Sequence, residues 1–342
     1  MKALVCDHVG SFAGLNYRDM PDAEPRPDEV VVRVAAAGLL FTDTLLALGH
    51  YQERPELPFI MGNEVSGQII KLGSAVRHLK IGDRVASVSD RFSCFAEQVA
   101  LPAWLPARLP AKVPDTIAAA LMSSYGTAQH ALRQRAQLRS GETLVVTGAA
   151  GGTGAAAVQV GRAMGARVIA ICSTAEKAAF ARKQGADDTV VAAPSDLREA
   201  LRIATAGKGA DVVFDTVGGE VFEACARTMA FDGRMLIVGF ASGAIPALRM
   251  NRPLVGGYSV IGVHWTSYAA RHREVHADNM LQLMDWLERG SIQPPVDSIL
   301  PMSMAATALQ KIADRKVMGK IVLVPDGAHP PPLQGEPVFR RG

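Results

Sequence analysis

The hydrophobic positions along this chain change their rhythm partway through. From Met1 to about Pro114, short β-branched runs are separated by turn residues. Val30-Val31-Val32-Arg33-Val34, Val65 to Ile70 and Arg84-Val85-Ala86-Ser87-Val88 read as strands, with turns at Pro25-Arg26-Pro27-Asp28 and Lys80-Ile81-Gly82-Asp83. This pattern predicts a mostly β domain. Pro102, Pro106, Pro110 and Pro114 then recur at four-residue spacing. Lacking amide protons, they exclude a stable helix and predict an extended linker along a surface, with a domain boundary just beyond.

From Thr143 apolar strands alternate with amphipathic helices. Strands are predicted over 144–147, 167–171, 211–214, 234–238 and 259–263, and helices over 153–164, 175–184, 196–205 and 220–230. Such alternation belongs to an α/β fold whose parallel sheet is covered on both faces. A long helix over 274–288 follows, and the strand Lys320-Ile321-Val322-Leu323-Val324 can return to the first domain. The tail from His329-Pro330-Pro331-Pro332 onward is expected to be disordered.

Composition narrows the classes. The 342 residues are 49% hydrophobic and 20% charged, and 36 Lys+Arg face 33 Asp+Glu, so no basic excess exists for nucleic acid. A chain of this length should divide into two domains, because single cores stop growing beyond ~250–300 residues. The uncharged run 143–161 is broken by Gly148, Gly151, Gly152, Gly154 and Gly161, which argues against a membrane span. Asp7 and His8 interrupt the N-terminus before a signal-peptide core can form. Cys6, Cys94, Cys172 and Cys225 are scattered without a CxxC pair, which suits a reducing compartment, and a cytoplasmic location is expected.

The strongest local signal is Leu144-Val145-Val146-Thr147-Gly148-Ala149-Ala150-Gly151-Gly152-Thr153-Gly154, an apolar strand running through glycines into a helix. That context suits a dinucleotide loop, in which backbone amides and the helix dipole receive a pyrophosphate. Its candidate contacts are Gly148, Ala150, Gly151, Gly152, Thr153 and Gly154. An NAD site would place a carboxylate at the end of the next strand, where this chain has Cys172-Ser173-Thr174. Ser173 and Thr174 can hydrogen-bond a 2′-phosphate and Lys177 can supply a positive charge, so NADPH is favoured over NADH.

Domain order and motifs together resemble the medium-chain dehydrogenase/reductase superfamily, in particular its zinc-independent NADPH:quinone oxidoreductase branch. The resemblance covers about residues 1–325. It rests on Val34-Ala35-Ala36-Ala37-Gly38 with Thr42-Asp43, Gly62-Asn63-Glu64-Val65-Ser66-Gly67, Gly82-Asp83-Arg84-Val85, Tyr125-Gly126-Thr127-Ala128, the glycine loop, Asp215-Thr216-Val217-Gly218-Gly219, Gly239-Phe240 and Gly319-Lys320-Ile321-Val322. It implies a GroES-like catalytic domain over 1–120 and 286–326, a Rossmann domain over 121–285, a tail over 327–342, and an active site in the cleft between domains. It also implies a homodimer extending the Rossmann sheet, with 258–263 as edge strand.

Zinc relatives carry a cysteine ligand where this chain has Leu40 and a histidine ligand where it has Asn63, so the resemblance implies metal-free chemistry. His272 and His276 stand one helical turn apart but do not form an HExxH motif, and read as a polar helix start. Without a Lewis acid, reduction of an activated acceptor, a quinone or an alkene conjugated to a carbonyl, is the easier chemistry. Tyr51 resembles the family's active-site tyrosine and can donate to the acceptor oxygen or simply pack over the ring, with Leu40, Asn63 and Trp265 expected around the acceptor. Thr127, Gly239, Phe240 and Val263 are expected at the cofactor. Asp43 and Glu64 read as buried, hydrogen-bonded frame groups. Two alternatives stay open: an enoyl- or acryloyl-thioester reductase, and a non-catalytic NADPH-binding protein.

Overall fold

The computed structural model describes residues 1–328; the tail from His329 expected to be disordered lies outside them. The chain forms two compact units, one of Met1–Ser123 with the described residues from Pro294 onward, the other of Ser124–Gln293.

In the first unit, strands β1 (Lys2–Cys6), β2 (Leu15–Asp19) and β3 (Glu29–Gly38) precede the short helix α1 (Phe41–Ala47). Strands β4 (Phe59–Ile60), β5 (Glu64–Leu72), β6 (Arg84–Val88), β7 (Gln98–Pro102) and β8 (Ala107–Arg108) follow, then α2 (Asp115–Ala119). The proline-spaced stretch is not a linker. β7 pairs with β3 and β8 with β6, and Ala103, Leu105 and Val113 are buried between the prolines. Prolines are tolerated here because they fall at strand ends and turns, where no ladder amide is needed.

Helix α3 (Met122–Gln129) leads through a π-helical turn, His130–Arg135, into the second unit's strands and helices. These are β9 (Thr143–Thr147), α4 (Gly152–Ala163), β10 (Arg167–Ile171), α5 (Ala175–Lys183), β11 (Asp188–Val190), α6 (Pro194–Ala204), β12 (Ala210–Asp215) and α7 (Gly219–Ala226). Then come β13 (Met229–Ile237), α8 (Asn251–Gly256), β14 (Ser259–Gly262), α9 (Trp265–Arg271) and α10 (Arg273–Glu288). The six strands form one parallel sheet in the order β11-β10-β9-β12-β13-β14. This is the doubly wound dinucleotide-fold order, which reverses between β9 and β12. α7 ends at Ala226 rather than 230, because β13 already begins at Met229. β14 is the sheet edge.

The last segment adds β15 (Val296–Pro301), α11 (Ala305–Ala313) and β16 (Lys320–Val324) to the first unit. Its main sheet runs β15-β16-β3-β5-β6-β8, and β16 pairs antiparallel with β3. Apolar side chains of β3, β5, β6 and β16 meet Met302 and Leu309 in one core. The final strand thus docks where its five buried residues are shielded from water. Among the described residues no helix is long and apolar enough to cross a membrane.

Candidate functional site

The glycine loop lies at the carboxyl end of β9, beside the reversal of strand order, where open α/β sheets receive ligands. Its glycines have different physical reasons. Gly148 has φ +60°, and a Cβ there would lie 2.6 Å from Thr216 Oγ1. At Gly154 a Cβ would lie 2.2 Å from the Gly148 carbonyl oxygen, so close packing of α4 on the loop requires glycine. Gly151 differs. It is exposed, its φ is −79°, and a Cβ would meet only the Gly148 oxygen at 3.5 Å. The fold does not need a glycine there, whereas a phosphate approaching the first turn of α4 does. Ala150 is buried under the loop, and Gly152 and Thr153 are half-buried in that first turn.

At the end of β10, Ser173 and Thr174 are exposed and Lys177 is half-buried one turn into α5. Thr174 has a second task, because its Oγ1 accepts the Lys177 amide at 3.2 Å and caps the helix. One lone pair is spent, but the hydroxyl proton can still be donated. The Lys177 charge also bears on Cys172, whose thiol burial nevertheless pushes up to about 11. No carboxylate stands at Cys172-Ser173-Thr174, where one would meet ribose hydroxyls.

Gly239 and the exposed Phe240 follow β13, and Val263 follows β14, its amide donating to the Ile237 carbonyl at 3.0 Å. The glycine loop, Ser173, Thr174, Gly239, Phe240 and Val263 therefore share the carboxyl end of one parallel sheet. Thr127 lies within α3, half-buried, and not at a helix start. Trp265, expected at the acceptor, is 4% exposed. It packs on Gly126, where a Cβ would lie 2.4 Å from the indole, and beside the His276 ring. His264 caps α9 by accepting the Ser267 amide at 3.3 Å. Among the described residues no cluster of three or more His, Cys, Asp or Glu is arranged to hold a metal.

In the first unit, Leu40 and Asn63 are half-buried at the start of α1 and just before β5. Tyr51 packs on the main core, and its hydroxyl has no hydrogen-bond partner among the described residues. Burial raises its pKa, with the Glu53 and Asp43 charges adding to the effect. Behind these residues is a group that the sequence reading did not assemble. Lys320 Nζ donates to Glu64 Oε2 at 2.9 Å, and both side chains are buried. Glu64 Oε1 has no hydrogen-bond partner among the described residues and lies against Gly38, where a Cβ would come within 3.1 Å; burial pushes the carboxyl up, opposed by Lys320 and the Ser123 and Met122 amides. Asp43 Oδ2 accepts the Leu40 amide at 2.8 Å.

Two buried carboxylates thus share one lysine. Burial pushes the Asp43 carboxyl up to about 7, against the opposing effects of the Leu40 amide and Lys320. Relative to an unfolded value near 3.9, the folded state holds the proton more tightly. The associated stability is complete below about pH 4 and is lost as pH rises toward 7, on the order of 4 kcal/mol in all. Asp43→Asn should flatten this slope and raise Tm relative to the parent at pH 8 but not at pH 4; parallel Tm profiles would refute the assignment.

Comparison with known proteins agrees with this architecture. Residues 26–110 match the alcohol dehydrogenase GroES-like domain, and residues 152–286 match the family described as zinc-binding dehydrogenase. A quinone oxidoreductase-like protein 2 homolog of Nematostella vectensis is 35% identical over 325 residues, spanning 94% of this chain and 88% of the relative. A mycobacterial protein solved with NADPH superposes with TM-score 0.89 at 30% identity, covering 95% of this chain and all of that one (100%). Escherichia coli quinone oxidoreductase, also solved with NADPH, gives TM-score 0.89 at 28% identity over 95% and 100% of the two chains. These matches define the class as a medium-chain dehydrogenase/reductase. The chain belongs to the quinone oxidoreductase branch of that superfamily.

Proposed function

We propose that this protein is an NADPH-dependent oxidoreductase that transfers hydride, without a metal, to quinones or other α,β-unsaturated carbonyl acceptors. The observation that carries the cofactor reading is the pair of exposed hydroxyls and the lysine at the end of β10, where a carboxylate would repel a 2′-phosphate. The two relatives solved with NADPH support it. The residues suit the cofactor physically, because Gly151 leaves the first turn of α4 open to a phosphate although the fold would accept a side chain.

When bound, NADPH supplies the hydride. The α4 N-terminus would receive the pyrophosphate, Ser173, Thr174 and Lys177 would hold the 2′-phosphate, and Thr127, Gly239, Phe240 and Val263 would hold the nicotinamide half. Tyr51, with an unpartnered hydroxyl, donates to the acceptor oxygen as charge develops there. Leu40 and Asn63 occupy the positions of zinc ligands in metal-dependent relatives and offer no pair of soft ligands, which supports the metal-free reading.

We also assign a homodimer joined along β14, in a cytoplasmic setting. Phe231, Leu254 and Val255 are 78–82% exposed near that edge, and Phe231 packs on Gly257.

The test is NADPH oxidation with a panel of quinones, enones and acryloyl thioesters. Turnover of quinones or enones is expected, and replacing Ser173 and Lys177 together by alanine should lower kcat/KM with NADPH about 10-fold or more while sparing NADH. Preference for acryloyl thioesters would move the protein to the thioester reductases. Tight NADPH binding without turnover would make it a binding protein.

A further inference from the structure

The ladder between β9 and β12 ends at Val146 and Phe214, and beyond that pair the two strands diverge at the reversal of sheet order. Diverging strands leave buried amides and carbonyls without ladder partners, which is costly unless side chains take them. Here Thr147 and Asp215, both buried, do so.

Thr147 Oγ1 donates to Asp215 Oδ1 at 2.6 Å and accepts the Thr216 amide at 2.9 Å. Thr216 Oγ1 in turn donates to the Thr147 carbonyl oxygen at 3.0 Å. The Asp215 carboxylate also accepts the Val217 amide at 3.1 Å and the Gly218 amide at 3.1 and 3.3 Å to its two oxygens. Its carboxylate is therefore spent on loop geometry, and Thr147 is the residue immediately before Gly148.

We infer that Thr147 and Asp215 form a latch that presets the crevice between the two loops for the cofactor's pyrophosphate before the nucleotide arrives. This rests on the NADPH reading and names its positioning residues. A loop held at its binding geometry by buried bonds does not have to be ordered on binding, so affinity is gained through preorganisation. Asp215 and Thr147 act through the backbone of the loops and need not touch the nucleotide.

The discriminating variants are Thr147→Val, which keeps the shape and removes the hydroxyl, and Thr147→Ser, which restores it. Nucleotide binding is measured by fluorescence titration with NADPH and with adenosine 2′,5′-bisphosphate, which lacks the pyrophosphate bridge. Thr147→Val should weaken NADPH about 10-fold and leave the bisphosphate unchanged, while Thr147→Ser binds both like the parent. Hydrogen exchange of the nucleotide-free protein should show faster exchange at Thr216, Val217 and Gly218 in Thr147→Val alone. Equal NADPH affinity in parent and Thr147→Val would overturn the latch, as would equal weakening of both nucleotides, the mark of general destabilisation. If the parent itself bound no NADPH, the cofactor reading would fall, and unchanged amide exchange in Thr147→Val would then separately overturn the latch.

Discussion

Replacing Lys320 by methionine is expected to destabilise the first unit by about 3–5 kcal/mol at neutral pH, the usual consequence of leaving buried charge without its partner. The lysine is the cation hydrogen-bonded to Glu64, and its charge also acts on Asp43. With it gone, two carboxyl groups remain in a closed, apolar surround of β3, β5, α1 and β16. Both then hold protons more tightly, so the loss should be largest above pH 7 and shrink toward pH 5. A Lys320→Met, Glu64→Gln double variant should recover part of the stability, because it removes the stranded charge as well. Thermal melts across pH check this, and a Lys320→Met protein within 1 kcal/mol (about, by the same reasoning) of the parent at pH 8 would show that the pair is not what holds β16 to β5.

The second large effect is expected at the glycine loop. A Cβ at Gly154 would lie 2.2 Å from the Gly148 oxygen and 2.8 Å from Ala149 Cα, so Gly154→Ala must push the loop away from α4. NADPH affinity should fall about 100-fold or more, roughly 2.7 kcal/mol. Gly151→Ala separates fold from ligand. Its Cβ would make only an ordinary contact, and its φ of −79° suits any residue. Tm should therefore stay at the parental value while NADPH binding weakens, as the new methyl meets the phosphate instead of the protein. If Gly151→Ala bound NADPH like the parent, the pyrophosphate would not lie against that turn.

Much of this architecture was legible in the sequence because of the physics of its strands. Parallel strands buried on both faces read as apolar runs, and β9, β10, β12 and β16 were found almost to the residue. Of the helices with one wet face, α4, α5, α6, α7 and α10 could be read from their pattern, whereas α11 was not read as a helix. Other elements carried weaker signals. α2 and the start of α3 are buried nearly all round, so no polar stripe marks them. The two-residue strands β4 and β8 are too short for alternation to register.

The loops proposed for the cofactor stand out in the sequence because each follows a strand. The charged frame does not. Glu64 and Lys320 are separated by 256 residues, and no local pattern pairs them. Thr147 and Asp215 each belong to a motif that was recognised, yet their bond joins two strands that become neighbours only in the sheet. Trp265, expected at the acceptor, packs against Gly126 and the His276 ring, contacts that no local pattern in the sequence announces.

The proposed reaction passes hydride from NADPH to a conjugated acceptor without help from a metal. It is tested most directly by following NADPH oxidation with 1,4-benzoquinone after exhaustive dialysis against a chelator, corrected for the uncatalysed reaction. The proposal predicts enzyme-dependent oxidation with one acceptor reduced per NADPH, undiminished by chelation and faster with NADPH than with NADH. Activity that vanished on chelation and returned only with added zinc would contradict it.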